Sequence, residues 1–144
     1  MISNEELTVL EKTCKNTRMA QNAISTIINK VYDEELAYDL NRQAKRFCDL
    51  EHKAERMLLL EGRGFTDSSG WERATQWASI QANTMLNTST PHVADMMIQT
   101  NAKGITELMK ATHNNKLKNS YANEIAAEVM DFEEKNIEKL KTYL

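Results

Sequence analysis

The chain contains no Glu-x-x-His, a single proline, four glycines and two cysteines in 144 residues. Each scarcity removes a class of protein. So few turn formers are little punctuation for a sheet that must reverse direction repeatedly, and helices are favoured from the outset. Cys14 and Cys48 are too isolated for a secreted disulfide framework, and neither stands in a Cys-x-x-Cys setting. No run approaches the ~20 apolar residues that span a bilayer, so no membrane partner is expected. The opening residues MISNEELTV lack the basic and apolar regions of an export signal, and a cytoplasmic address is expected. With 18 basic and 21 acidic residues the net charge is -3, which provides no broad field for a polyanion and argues against nucleic acid.

What is present suits one helical domain over residues 1–144. Hydrophobic residues make up 41% and charged residues 27%, enough for a core and a solvated face. Ser3 followed by Glu5 and Glu6 reads as a helix start. Leu7, Leu10, Cys14, Thr17, Gln21, Ile24, Ile28 and Val31 then recur at three and four residues along a helix of about 27 residues. Asp33 caps a second helix, whose inward stripe is Leu36, Leu40, Ala44, Phe47, Leu50 or Glu51, Ala54 and Leu58, ending before Gly62 and Gly64. Residues 62 to 70 read as a loop, and Trp71 to about Asn87 as a short helix.

Pro91 suits the first turn of the next helix, with Thr90 as its expected cap. Val93, Met97, Gly104, Leu108 and Ala111 trace one face of it, to about Asn114. The last helix is expected from Ser120 nearly to Leu144, with Ile125, Val129, Phe132, Asn136 or Ile137, and Leu140 inward and Glu133, Glu134, Lys135 and Glu138 in solvent. Four major arms result. The 71–87 segment is either a fifth short helix or half of a broken third arm.

Four-helix bundles often hold two metal ions, using a Glu from each of two helices and Glu-x-x-His from the others. The first helix has no acid between Glu11 and Asp33, so Gln21 and Asn22 stand where a ligand is wanted. The residues available for iron or another divalent metal are Glu51, Glu55, Glu124 and Glu128, with His52; the simpler reading puts His52 in solvent and the acids on ordinary helix faces. On the expected hairpin, Cys14 and Cys48 are offset by about 4.5 Å along the axis, and reduced packing residues are the expected state. Gly104, inside a helix at a cost of about 1 kcal/mol, implies close approach by another backbone or a large side chain.

The Pro91 helix is apolar on more than one side. Met96, Met97, Ile98, Ile105 and Met109 extend its stripe, and this added side would meet either the 71–87 helix, through Trp77, or a second subunit. A small-ligand groove bounded by Trp77, Met96, Met97 and Met109 is the third reading.

The stretch TPHVADMMIQTNAKGITELMK, with the terminal DFEEKNIEKLKTYL, resembles small bacterial ferritin-like bundle proteins without an established activity, most strongly over residues 71 to 144. The resemblance implies an all-α, antiparallel ferritin-like four-helix bundle. The wider superfamily implies metal storage, oxidation or peroxide handling, but its ligand pattern cannot be placed on this chain. The expectation is therefore a noncatalytic, cofactor-free bundle acting by self-association, as a homodimer, or by protein binding; a divergent metal or redox protein is the alternative.

Overall fold

In a computed structural model, residues 2–63, 87–116, 118 and 120–144 are described. Among them are four α-helices and no strand: α1 (Asn4–Ile27), α2 (Glu34–Leu60), α3 (Thr90–His113) and α4 (Tyr121–Lys141). A 3-10 turn, Ile28–Lys30, follows α1. None of these helices is long and apolar enough to cross a membrane. The short helix expected from Trp71 lies outside the described residues, apart from Asn87.

Local chemistry sets three of the helix starts. Ser3 and Glu6 form a reciprocal capping box: the Glu6 amide donates to Ser3 Oγ at 3.2 Å, and the Ser3 amide to Glu6 Oε2 at 2.8 Å. Asp33 Oδ1 accepts from the Leu36 amide at 2.8 Å, and Ser120 Oγ from the Asn123 amide at 3.2 Å. Each such cap is worth about 1 kcal/mol. The start of α3 differs from expectation. Thr90 is its first helical residue rather than its cap, Ser89 precedes it without a side-chain bond, and Pro91 sits in the first turn, where its missing N–H has no intrahelical partner to lose.

Two apolar clusters mark opposite ends of the helix set. One holds Ile24, Ile27, Leu36, Leu40, Val93, Met97 and Leu140; the other holds Leu7, Leu10, Cys14, Ala54, Leu58 and Ile125. Leu58 near the end of α2 and Val93 near the start of α3 thus belong to different ends. At one end Arg63 reaches Glu11 at 3.3 Å and the Lys116 amide donates to Glu5 at 3.1 Å; at the other Lys139 lies 3.8 Å from Glu35.

Helix α1 packs against all three others, whereas α2 meets α4 more loosely. This explains why the expected α1 stripe is too narrow. Val9, Thr13, Asn16, Met19, Ala20 and Ala23 are also buried, and Ile27 broadens the buried face at its far end as its spacing predicts. Phe47 and Phe132 bridge α2 and α4 edge to face, with centroids 5.0 Å apart.

The main correction concerns α4. Glu133, expected in solvent, has no exposed surface at all, and Asn136 rather than Ile137 turns inward beside it. Glu133 sits four residues after Val129 and three before Asn136, in the middle of the helix's buried phase.

Candidate functional site

Between the two apolar clusters lies a layer of buried polar side chains. Asn16 of α1 donates through Nδ2 to the Gly104 carbonyl at 3.2 Å and to Glu133 Oε1 at 3.1 Å, tying α1, α3 and α4 together. Gly104 makes room for this. A Cβ there would lie 2.0 Å from Glu133 Oε2 and 2.5 Å from Asn16 Oδ1, so the expected close approach is made by a carboxyl and an amide. One step along the layer, Asn136 donates to Asn101 Oδ1 at 3.2 Å, and Asn101 donates to the Met97 carbonyl at 2.8 Å. Burial pushes the Glu133 carboxyl well above the usual carboxylate range, and the Asn16 amide offsets this only in part.

The carboxylates singled out for metal go to different neighbours. Glu51 accepts from Arg18 Nε at 2.8 Å and Gln21 Nε2 at 2.7 Å, and Glu55 lies 3.9 Å from the same Arg18, so both face α1. Glu128 accepts from Lys53 at 2.7 Å and Arg46 at 3.4 Å, on the opposite flank of α2. Glu124 is exposed in the first turn of α4, where a negative charge suits the helix dipole. His52 is exposed, with Nε2 3.8 Å from Cys48 Sγ. Among the described residues, no three His, Cys, Asp or Glu side chains come together.

Both cysteines are free thiols. Burial, and next the nearby Glu51, push the Cys14 thiol up to about 12. It packs in the apolar cluster with Ala54 and Leu58. Cys48 is half-buried on α2.

A broad opening lies on the outside. A groove of about 800 Å³ runs between α2 and α4, with Phe132, Gln43 and Asn136 at its floor and Tyr38 on its rim. Its lining carries Arg42, Lys45, Arg46, Lys135 and Lys139 against only Asp39 and Asp49, in a chain whose net charge is -3. Gln43 Oε1 is buried there without a hydrogen-bond partner among the described residues. Tyr143 donates to Asp39, one of the lining residues. Beside the groove, the outer face of α4 carries Asp131, Glu134 and Glu138 along a shallow depression. At spacings of three and four they form one acidic strip, interrupted by Lys135.

Comparison of the chain with protein-family models, characterised proteins and solved structures finds no match. The residues themselves must carry the functional reading.

The methionine-rich stripe of α3 is only partly on the surface. Met96 and Met97 are in the core, Ile98 packs against it, Ile105 is half-buried, and Met109 is 58% exposed. The broad apolar outer face expected of this helix is therefore reduced to Met109 with the edges of two isoleucines. Trp77, the remaining wall of the expected ligand groove, lies outside the described residues. Sequence reasoning missed the α2–α4 groove because its cations are spread over two helices far apart in the chain. The signal for it was the exposed Arg42-x-x-Lys45-Arg46 run on α2 beside the acidic triplet of α4.

Proposed function

We propose that this protein is a noncatalytic, cytoplasmic, antiparallel ferritin-like bundle that acts by self-association, with the α2–α4 face as the surface that pairs two copies. One observation carries the reading: a basic ridge, Arg42, Lys45 and Arg46, lines the groove on α2, and an acidic strip, Asp131, Glu134 and Glu138, lines the neighbouring depression on the outer face of α4, with Lys135 between the two. A two-fold axis along that groove sets the ridge of each copy against the strip of the other, so every favourable contact occurs twice. Tyr38 and Phe132 supply apolar surface between the charged rows.

The antiparallel arrangement rests on the end-to-end contacts Glu11–Arg63, Glu5–Lys116 and Glu35–Lys139. The ferritin-like connectivity rests on α2 ending and α3 beginning at opposite ends of the helix set.

Sedimentation at increasing concentration tests the reading, with a dimer expected that weakens as salt rises. The triple variant R42E/K45E/R46E should be monomeric, as should D131K/E134K/E138K, and mixing the two should restore a heterodimer. A wild-type chain that stays monomeric into the high micromolar range removes the proposal.

A further inference from the structure

The interior layer around Gly104 holds two oxygen atoms that lack a donor. Glu133 Oε2 and Asn16 Oδ1 are both buried and unpartnered among the described residues, and both lie within 2.5 Å of the point a Gly104 Cβ would occupy. They therefore converge on the same small space. As a carboxylate, Glu133 would turn a full negative charge toward the carbonyl oxygen of an amide, with neither group able to reach water.

A single proton resolves both groups. Asn16 Nδ2 already donates to Glu133 Oε1 at 3.1 Å. A hydrogen on Oε2 donated to Asn16 Oδ1 closes the ring of two opposed hydrogen bonds that a carboxylic acid and a primary amide form with one another. The second Nδ2 hydrogen remains on the Gly104 carbonyl, so every polar atom of Asn16 is satisfied.

We propose that Glu133, Asn16 and Gly104 form an interior proton-binding site, in which Glu133 is the neutral acid and its Oε2–H is donated to Asn16 Oδ1, latching α1, α3 and α4 together. The proton comes from solvent as the chain folds and returns to solvent when the layer opens.

The groups around the site favour this state. From α1 it is met by Asn16 and from α3 by Gly104, both neutral. The charged and titratable groups of adjacent layers lie toward other partners: Arg18 pairs with Glu51 and Glu55 between α1 and α2, and Lys15 feels its α1 neighbours Lys12 and Glu11 and, across to α3, Glu107. On the flank between α2 and α4, Arg46 and Lys53 hold Glu128. Burial and the Asn16 bond are the influences on Glu133, and among the described residues no cation acts to hold it ionised.

The pH dependence has a definite sign. The folded chain keeps a proton that the unfolded chain releases above about pH 4.5. The stability this group contributes is therefore complete below that value and falls as pH rises toward the higher folded value. Glu133→Gln is the decisive variant, because its Nε2–H can replace the carboxyl O–H toward Asn16 and does not titrate.

The experiment is infrared spectroscopy of the folded protein at pH 7, combined with chemical unfolding of wild type and E133Q from pH 5 to pH 9. A protonated-carboxyl C=O band present in wild type and missing from E133Q is expected. Relative to E133Q, the wild type should lose about tenfold in its folding constant per pH unit for as long as the folded carboxyl keeps its proton. Absence of the band, a stability ratio that does not change with pH, or failure of E133Q to fold would each overturn the proposal.

Discussion

Glu51 and Glu133, two of the buried glutamates among the described residues, are accommodated in opposite ways. Glu51, on α2, is met by the Arg18 guanidinium and the Gln21 amide, and its side chain keeps 12% of its surface in contact with solvent. Glu133, on α4, has no exposed surface and is met by one amide. The first arrangement supplies a counter-charge at the edge of the helix packing. The second supplies no charge, and its fit comes from a missing side chain at Gly104. The comparison teaches that residue type alone does not fix the electrostatics of a helical interior; the group that meets the acid across the helix interface does.

The sharpest way to break this contrast is Gly104→Ala. A methyl group 2.0 Å from Glu133 Oε2 would drive the carboxyl from its place and separate it from Asn16. We expect a loss of about 3–5 kcal/mol in urea unfolding, where overpacking and an unsatisfied polar group add. Asn16→Leu comes next. It removes the acid's only side-chain partner among the described residues and a donor to the Gly104 carbonyl, and should cost about 2–3 kcal/mol in the same assay.

On the other side of the contrast, Arg18→Met should cost less, about 1 kcal/mol, because water reaches the Arg18–Glu51 pair and softens its loss. A double variant of Arg18 and Asn16 should then be nearly additive if the two glutamates are independent, and a large coupling would show that the layer is continuous. The smallest effect is on the cysteines. Half-buried Cys48 should react with a thiol reagent in the native protein, while Cys14, buried and with its thiol held up to about 12, should react only after unfolding. Mass spectrometry of the singly labelled protein distinguishes them.

Much of the helical frame was legible in the sequence, because its signals are local. Ser3, Asp33 and Ser120 act as caps, and Leu36, Leu40, Phe47, Leu50, Ala54 and Leu58 follow the expected phase of α2. The end of α1 was less legible: the apolar spacing continues through Val31, but the helix gives way to a 3-10 turn at Ile28. Met96 and Met97 read equally well as surface or core, since periodicity cannot tell how many helices surround a face.

Glu133 was misread because the flanking Glu134, Lys135 and Glu138 make the region look solvated. Its phase with Val129 and Asn136 pointed inward all along. Gly104 announced a close approach, but its partners lie on α1 and α4, and only the tertiary arrangement says which residues fill the space. The charged groove has the same origin, since its two walls are brought together by packing and not by adjacency in the chain.

The three-way fit at Gly104 also bears on how such a chain can change over generations. A substitution that adds bulk at 104 has no room unless the acid at 133 shortens or leaves, and an acid lost from 133 strands the amide at 16. Positions 16, 104 and 133 should therefore vary as a set in descendants of this sequence, even while the surrounding leucines and methionines exchange freely. That linked triplet offers a more discriminating marker of common ancestry than the helical periodicity, which any amphipathic bundle shares.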